Sequence, residues 1–267
     1  MSKTIGIMGC GWLGLPLAKA LLSHGYIIKG TTTSKEKLGI LKSEGIRPFR
    51  ISLSENSIYG PISDFLMSVH TLIVNVPPRL RSGNAENYVD KMQLLFDEIR
   101  KSKVHHIVFV SSTSVYGDLE GDVDESTPPI PKTESGKQLL ASEEIARKSA
   151  LDTTIIRFGG LIGPDRHPVT MLSGRKGLSN GNAPVNLIHL DDCIQIIVAL
   201  LKNNWWNETF NAVYPYHPSK KKYYTLQAKK RGLSPPDYSA DSNQKGKKIH
   251  SRKLIRVKNY DFNTTIL

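Results

Sequence analysis

Short apolar runs alternate with amphipathic stretches along most of the chain, and the two patterns have the periods of strands and helices. The predicted strands are residues 4–8, 26–30, 47–51, 71–76, 106–110, 153–157 and 208–213. The predicted helices are residues 34–41, 87–101, 136–148, 193–201 and 218–231, together with one that follows residue 14 and ends at Gly25. This alternation predicts a parallel sheet covered by helices on both faces.

The first strand leads into a glycine-rich turn, Gly9-Cys10-Gly11-Trp12-Leu13-Gly14, and an amphipathic helix follows the turn. Glycine allows a tight bend at the first position, close approach of a ligand at the second, and close packing of helix on strand at the third. The start of the helix also presents unpaired N–H groups to an anion. In this context the motif predicts a binding site for the diphosphate of a dinucleotide.

These features together predict an α/β fold with a doubly wound parallel sheet of the Rossmann type and a smaller C-terminal substrate lobe. The regular alternation weakens after residue 163. We expect the NAD(P)-binding Rossmann domain to comprise residues 1–163, with a contribution from residues 185–213. Residues 164–184 and 214–267 are expected to form the substrate-side lobe.

The end of the second strand carries the hydroxyl-rich sequence Thr31-Thr32-Thr33-Ser34, followed by Lys35. An NAD-specific site usually has an aspartate or glutamate here, which binds the ribose 2′-hydroxyl. No acidic residue stands among these five. Hydroxyl groups and a lysine suit a 2′-phosphate better, so NADP(H) is favoured over NAD(H), although no arginine is present in this stretch.

Composition limits the class of protein and its compartment. The chain of 267 residues is 39% apolar and contains only Cys10 and Cys193 as cysteines, which is too few for a disulfide framework. Its longest apolar run, residues 196–201, is far shorter than the roughly 20 residues that span a bilayer. We expect a cytoplasmic protein that neither spans a membrane nor binds a metal.

The net charge of +12 is concentrated near the C-terminus. Residues 218–267 contain thirteen lysines and arginines against three aspartates. Such a surface attracts anions. Nucleic acid is disfavoured as a partner because few aromatic residues interleave the lysines and no nucleic-acid motif is present. A small anionic metabolite, held by Arg166, Arg175 or the late lysines, is the preferred partner, and solvated helix faces are the alternative.

Several motifs occur in one order along residues 3–213: the glycine turn, Ser111-Ser112-Thr113-Ser114-Val115-Tyr116-Gly117, residues 157–164 (RFGGLIGP), residues 188–192 (IHLDD) and residues 209–211 (TFN). This order resembles the extended short-chain dehydrogenase/reductases, the NAD-dependent epimerase/dehydratase family. The later stretch 245–254 is similar to an atypical, YeeZ-like subgroup. The resemblance implies a nicotinamide cofactor, a homodimer, and an oxidoreductase or epimerase-like activity on a nucleotide sugar or another phosphorylated metabolite.

The resemblance also implies roles for individual residues. The diphosphate would be held at the turn, the adenosine ribose would face the hydroxyl-rich stretch, and the substrate would lie beside Ser112. The implied cofactor-binding residues are Gly9, Cys10, Gly11, Trp12, Leu13, Gly14, Thr31, Thr32, Thr33, Ser34, Asn75, Val76, Pro77, Ser111, Gly159, Gly160 and Leu161. Ser112 matches the family residue that hydrogen-bonds a substrate hydroxyl, and Arg166 and His167 are candidate substrate ligands.

Active members of this family carry Tyr-x-x-x-Lys on the helix after the long loop, where the lysine lowers the pKa of the tyrosine. Here Ser135 and Leu139 occupy the corresponding positions. Tyr116, Lys137 and His167 are the candidates for a replacement acid, and Tyr116 is placed with Ser112 in the catalytic set. The alternative is a non-catalytic protein that senses NADP(H) or binds a partner.

The first forty residues also fit a β-hydroxyacid dehydrogenase, but that class needs an all-helical second half. The strand-like segments after residue 185 argue against it. His189 and the pair Asp191-Asp192 are interpreted as structural, with an aspartate capping the helix that begins near Cys193.

Overall fold

The computed structural model describes residues 3–78, 86–239 and 245–267. The strands are β1 (Thr4–Met8), β2 (Ile27–Thr32), β3 (Arg47–Arg50), β4 (Ser52–Leu53), β5 (Ile58–Tyr59), β6 (Thr71–Val74), β7 (His106–Ser112), β8 (Gly121–Val123), β9 (Asp152–Phe158), β10 (Gly160–Ile162), β11 (Leu187–His189), β12 (Thr209–Ala212) and β13 (Lys247–Ile249). The α-helices are α1 (Gly14–Ser23), α2 (Lys37–Ser43), α3 (Ile62–Leu66), α4 (Tyr88–Arg100), α5 (Glu134–Arg147), α6 (Val169–Leu172), α7 (Leu190–Asn203) and α8 (Lys220–Lys230). A 3₁₀ turn spans Thr113–Tyr116 and a π-type turn spans Lys253–Val257.

Seven parallel strands form the central sheet in the order β12-β9-β7-β6-β1-β2-β3. The first strand, β1, pairs with β2 on one side and β6 on the other, so the direction of winding reverses at β1. Ligands of such sheets bind outside the carboxyl ends of the strands at this reversal. The predicted doubly wound α/β fold is therefore confirmed, and its topology places the glycine turn at the expected binding crevice.

The two faces of the sheet carry separate apolar clusters. Val108 belongs to the cluster that includes α1 and α7, whereas its neighbours Ile107 and Phe109 belong to the cluster that includes α3, α4 and α5. Successive residues of a strand point to opposite faces, which explains this division. Burial of both faces also explains why the strand sequences are continuously apolar rather than alternating.

Side chains at the N-termini fix where several helices begin. Asn87 accepts a hydrogen bond from the Val89 N–H at the start of α4, and Thr133 accepts one from the Gly136 N–H at the start of α5. The predicted aspartate cap of α7 is wrong, because His189 Nδ1 is the group that accepts the Asp191 N–H. The helix begins three residues earlier than predicted, which places the aspartates inside its first turn.

Residues after β9 build smaller units around the sheet edge. The strands β10 and β11 pair in parallel, and β13 pairs with β8. A third apolar cluster contains Tyr223 and Tyr224 of α8 together with Val169 and Ile266. The predicted boundary of a substrate lobe at residue 163 stays a prediction. No helix in the described part of the chain is long and apolar enough to cross a membrane.

Candidate cofactor and active site

The glycine turn is held in a conformation that other residues do not fit. Gly9 has a φ of +104°, and a Cβ there would lie 2.6 Å from the carbonyl oxygen of Asn75. A Cβ on Gly14 would lie 2.2 Å from the Gly9 carbonyl oxygen. The Asn75 side chain donates to that same oxygen at 3.0 Å. The first and third glycines therefore serve close packing between the turn, helix α1 and the end of β6.

Three consecutive N–H groups at the start of α1 have no hydrogen-bond partner among the described residues: those of Gly11, Trp12 and Leu13. They lie at the positive end of the helix dipole. A Cβ built on Gly11 meets no protein atom within 4 Å. Open space beside unpaired donors is the arrangement that a diphosphate needs, so the residues of this turn fit the phosphate bridge of a dinucleotide.

Cys10 and Thr31 shape the turn rather than face the open space. The Gly9 N–H donates to Thr31 Oγ1 at 2.8 Å, and the Cys10 N–H donates to the Thr31 carbonyl at 2.8 Å. Burial raises the pKa of the Cys10 thiol to about 12. Its sulfur packs where Gly30 lacks a side chain. Cys10 and Thr31 are thus both buried and bonded within the turn and β2, and the predicted position of Thr31 beside the ribose stays a prediction.

The remaining hydroxyl residues border the end of β2. Thr32 Oγ1 accepts the Ser34 N–H at 3.2 Å, whereas Thr33 is exposed. Arg50, the last residue of β3, donates from Nε to the Thr33 carbonyl at 3.3 Å. The Ser34 hydroxyl donates to the Glu36 carboxylate and lowers its pKa, with a smaller contribution from the charge of Arg50. A guanidinium and a carboxylate therefore both lie beside the predicted ribose position.

The side chain of Trp12 joins the turn to the segment after β10. Its indole Nε1 donates to Asp165 Oδ1 at 2.8 Å, and the guanidinium of Arg166 lies 5.0 Å from its ring centre. A Cβ on Gly163 would lie 2.7 Å from the indole. Arg166 is thus held beside the glycine turn by cation–π stacking, and its role as a substrate ligand stays a prediction.

Residues 9–14, 75–77, Ser112 and Gly159–Gly160 lie at the carboxyl ends of β1, β6, β7 and β9, and we call this edge of the sheet the cofactor cleft. Ser112 is partly exposed, and its Oγ accepts the Ser114 N–H at 3.1 Å. Ser111 points to the opposite face and donates to the buried Glu143. The alternation of side chains along β7 therefore brings Ser112 but not the Ser111 side chain to this cleft.

Gly159 and Gly160 leave the central sheet and meet the segment before β11. The Gly160 N–H donates to the Asn186 carbonyl at 2.8 Å, and a Cβ on Gly159 would lie 2.7 Å from that oxygen. Leu161 is partly buried against the cluster of α1 and α7.

At the β6 end, the Val76 carbonyl accepts the Tyr88 hydroxyl at 2.7 Å.

Tyr116 lies in a buried polar network beneath Ser112. Its hydroxyl accepts from Arg157 Nη1 at 3.0 Å and lies 2.9 Å from Asn211 Oδ1. Arg157 in turn donates to the Glu143 carboxylate at 2.6 Å. Burial raises the pKa of the Tyr116 hydroxyl, more than the nearby Arg157 lowers it. The side chain has no exposed surface, so this hydroxyl has no access to a substrate.

Helix α5 carries the positions at which the family resemblance places tyrosine and lysine. Ser135 is partly exposed in its first turn and Leu139 is buried. Lys137 is exposed on its outer side. The predicted absence of the catalytic pair stays a prediction, because it depends on which positions of this chain correspond to those of the family. Helix α5 itself contains no tyrosine.

His167 is 5% exposed, and both of its ring nitrogens have hydrogen-bond partners. Nδ1 accepts the Val169 N–H at 3.2 Å, so Nε2 carries the proton of the neutral ring and faces the Tyr223 hydroxyl at 3.0 Å. That hydroxyl donates to the Ile266 carbonyl. Burial, with a smaller effect of the Arg231 charge, lowers the pKa of His167 to about 4. This arrangement supports a packing role and not the predicted role as a substrate ligand or acid.

Sequence reasoning missed several residues of this region. Arg50 lies in the predicted strand 47–51, which pairs with β2 in the structure, and this adjacency was the available signal. Asn186 was missed, and although the late lysines were named as candidate anion ligands, no local pattern indicated that Lys220, Lys247 and Asn186 lie together, because their segments are far apart in the sequence. No cluster of three or more histidine, cysteine or acidic side chains that could hold a metal ion occurs within residues 3–78, 86–239 and 245–267.

Comparison with known proteins agrees with this geometry. A family model described as NAD(P)H-binding matches residues 9–204. Protein YeeZ of Escherichia coli K12 is 33% identical over 264 residues, covering 97% of this chain and 96% of that protein. The protein named "Uncharacterized UDP-glucose epimerase YtcB" of Bacillus subtilis 168 is 26% identical over 231 residues, covering 75% of this chain and 73% of its own length.

A solved structure has the same fold at lower sequence identity. MoeE5 in complex with UDP-glucose and NAD superposes with a TM-score of 0.80 at 19% identity, covering 98% of this chain and 94% of MoeE5. Structural likeness at this identity establishes the fold alone. The likeness in fold therefore includes the region of the chain where the cofactor cleft lies.

Proposed function

This chain belongs to the NAD(P)H-binding family, as an atypical short-chain dehydrogenase/reductase of the epimerase/dehydratase type, and from that premise we propose that it is an oxidoreductase or epimerase-like enzyme. Its substrate is a small anionic metabolite such as a nucleotide sugar or a phosphorylated compound. The observation that carries the proposal is the set of three N–H groups at the open face of Gly11 that have no hydrogen-bond partner in the described ranges.

The cleft divides into regions with different tasks. The Gly11, Trp12 and Leu13 N–H groups bind the diphosphate, and Arg166 adds positive charge from above the Trp12 indole. When bound, the nicotinamide ring supplies hydride transfer chemistry. Ser112 is the hydroxyl nearest to where a substrate would meet that ring, and it orients the substrate by hydrogen bonding. Gly159–Gly160 form the other side, where the absence of side chains lets Asn186 and Leu187 pack closely against the backbone.

We propose NADP(H) as the preferred cofactor. Arg50 supports this preference because its guanidinium lies against the loop that follows β2, where a ribose 2′-phosphate would sit. Lys35 adds a second exposed positive charge on the same loop. The Glu36 carboxylate opposes the preference, but it is bonded to Ser34 and faces the charge of Arg50. Arginine binds phosphate in a bidentate manner that a hydroxyl cannot reproduce.

A nucleotide sugar is the favoured substrate class because two similar proteins are associated with such compounds. YtcB is named as a UDP-glucose epimerase, and MoeE5 was solved with UDP-glucose and NAD. The basic C-terminal segment supplies the charge that such an anionic substrate needs. A cytoplasmic location and a homodimer stay predictions from the sequence.

A second candidate function is a non-catalytic protein that senses NADP(H) or binds a partner. Two observations favour it: Tyr116 is sealed in the core, and α5 carries no tyrosine. An assay of turnover with purified protein over a panel of nucleotide sugars and sugar phosphates separates the two functions. Turnover that disappears in Ser112→Ala supports the enzyme. NADPH binding without turnover of any of these compounds supports the sensor.

The cofactor site itself is tested by Gly11→Ala. The added methyl group meets no protein atom, so the unliganded protein keeps its stability, but it enters the space of the diphosphate and weakens NADPH binding at least tenfold. Gly39→Ala is the matched control, because its Cβ also meets nothing and lies on α2 away from the cleft. Tryptophan fluorescence titration measures the affinity. Equal NADPH affinity in Gly11→Ala and the wild type would overturn the proposed site.

The NADP(H) preference is tested by Arg50→Gln. Loss of one charged phosphate contact of about 1.5–3 kcal/mol corresponds to a fall of roughly tenfold or more in NADPH affinity, with little change for NADH. Glu36→Gln serves as the companion variant and leaves NADPH affinity equal or higher. An equal loss of affinity for NADPH and NADH in Arg50→Gln would show that this side chain does not recognise the 2′-phosphate.

A further inference from the structure

Two half-buried lysines lie side by side in the C-terminal part of the chain without a carboxylate partner. Neither Lys220 nor Lys247 has an acidic oxygen within 4 Å among the described residues. Ala183 fixes both of them: its carbonyl accepts the Lys220 N–H at 2.8 Å, and a Cβ on Gly246, next to Lys247, would lie 2.7 Å from the Ala183 Cβ. Their common anchor makes the two lysines neighbours.

Lys247 bridges the two walls of the cofactor cleft. Its Nζ donates to the carbonyl of Gly117, at the end of the turn that follows Ser112. Its own carbonyl accepts from Asn186 Nδ2 at 2.8 Å, and the Asn186 carbonyl accepts the Gly160 N–H. Lys247 is therefore linked to the β7 wall through its ammonium group and to the β9 wall through its backbone.

The position along the sheet separates this lysine pair from the diphosphate site. Neighbouring strands lie about 4.8 Å apart, so the ends of β7 and β9 are about 10 Å and 14 Å from the end of β1. The glycine turn is at β1, whereas Gly117 and Gly160 follow β7 and β9. The pair thus lies near the nicotinamide end of the cleft, where a substrate rather than the phosphate bridge is placed.

The local charge favours an anion at this point. Desolvation lowers the pKa of both lysines, and at Lys247 the charge of Asp118 opposes this shift more than the charge of Lys220 adds to it. The exposed Asp118 remains farther than 4 Å from Lys247 and lies beside Lys132. Partly buried charges of one sign are unfavourable unless an opposite charge joins them. A bound oxyanion would supply that missing charge.

We propose that Lys220 and Lys247 form an oxyanion subsite that binds a phosphate or carboxylate group of the substrate beside the nicotinamide end of the cofactor cleft. Its place next to a cofactor rests on the proposed function, whereas its affinity for an anion does not. Lysine ammonium groups act as point charges and accept either oxyanion geometry. The subsite orients the substrate through its anionic group, although helix α5 contains no tyrosine.

The test titrates purified protein saturated with NADPH with inorganic phosphate and, separately, with malonate, using calorimetry. The variants are Lys220→Met, Lys247→Met and the double variant. Lys248→Met is the matched control, because Lys248 is the exposed neighbour of Lys247 on the same strand β13. We expect wild type and Lys248→Met to bind at least one of the two anions. The double variant is expected to lose at least tenfold in that affinity while NADPH affinity is unchanged.

Each other outcome has a defined meaning. A response to phosphate alone identifies a phosphorylated substrate group, and a response to malonate alone identifies a carboxylate. Unchanged anion affinity in the double variant, absence of anion binding in the wild type, or a parallel loss of NADPH affinity overturns the subsite. Should the double variant not fold, Lys220→Met gives the decisive reading, since its side chain makes no hydrogen bond to a described residue.

The two proposals fail in different ways. If the wild type does not bind NADPH, the proposed function fails, and the same titrations in protein without cofactor still test the lysine pair. If NADPH binds and neither anion does, only the subsite fails.

Discussion

Removing the Tyr116 hydroxyl decides whether this side chain stabilises the core or takes part in catalysis. The hydroxyl accepts from the buried Arg157 guanidinium at 3.0 Å and faces Asn211 Oδ1 at 2.9 Å. Tyr116→Phe keeps the ring and leaves both partners unsatisfied in a region without solvent access. The arrangement therefore predicts a loss of stability rather than a loss confined to turnover.

The magnitude follows from the groups that lose a partner. An unsatisfied buried polar group costs about 1–3 kcal/mol, and more when it is charged. With one charged donor and one amide acceptor affected, we expect about 2–4 kcal/mol in the free energy of unfolding, allowing for partial relaxation. For a chain of this length about 2 °C per kcal/mol is typical, which gives a fall in Tm of roughly 4–8 °C.

The assay is urea denaturation of Tyr116→Phe together with NADPH titration. Tyr224→Phe is the matched control, because Tyr224 is also buried but its hydroxyl makes no hydrogen bond to a described residue. We expect a clear loss of stability in Tyr116→Phe, a small one in Tyr224→Phe, and unchanged cofactor affinity in both. Full stability of Tyr116→Phe combined with loss of turnover would refute this reasoning and restore the tyrosine as a catalytic candidate.

Two further predictions concern the packing of the turn and the behaviour in acid. Gly14→Ala places a Cβ 2.2 Å from the Gly9 carbonyl, so we expect a loss of about 1–3 kcal/mol in stability and weaker NADPH binding; unchanged denaturation and titration curves would contradict the close packing. Desolvation and the neighbouring positive groups lower the pKa of His70 and His106 below 6.5 in the folded protein, although Asp152 partly opposes this at His106. The unfolded chain therefore binds more protons as the pH falls below 6.5, and stability decreases over that range. Urea midpoints between pH 8 and pH 5 should fall less in His106→Gln than in the exposed control His24→Gln, and equal slopes would contradict the assignment.

The same histidines line a concavity of about 420 Å³ with His105 and Asp152, at the amino ends of the strands. The His106 ring stacks on Trp206 at 4.2 Å, and its buried Nδ1 lies 3.3 Å from Asp152 Oδ2 but makes no hydrogen bond to a described residue. This location is opposite to the cofactor cleft, since His106 begins β7 and Ser112 ends it. Acid sensitivity should therefore appear in stability without a matching change in the geometry of the cleft.

The amino-acid sequence was enough to predict the central sheet, its longer helices and the glycine turn, whereas the place of the cofactor stays a prediction. A strand that is buried on both faces must be apolar along its whole length. Each glycine of the turn is required by the geometry of the bend, the ligand approach or the helix packing. These are local constraints. They are readable from neighbouring positions, and the structure confirms the predicted strand, turn and helix at residues 4–24.

The orientation of individual side chains depended on the tertiary structure. Ser111 and Ser112 are adjacent and chemically identical, yet one binds the buried Glu143 and the other lines the cleft. Tyr116 belongs to a recognisable motif, but its hydroxyl binds Asn211, which is far away in the sequence. His167 belongs to a basic loop, but its ring contacts Tyr223, which is also distant in the sequence. Burial of both side chains could only be seen once those contacts were known.

What the sequence determined by itself is the class of site: a turn with free backbone donors at the end of a central strand, because that depends on glycine spacing and strand periodicity alone. What only the tertiary structure decided is which charged groups surround the site. Arg50 reaches the end of β2 from the next strand, and Ala183 joins Lys220 to Lys247 across 27 residues of sequence. Charges act through space, so their partners follow from folding and not from their order along the chain.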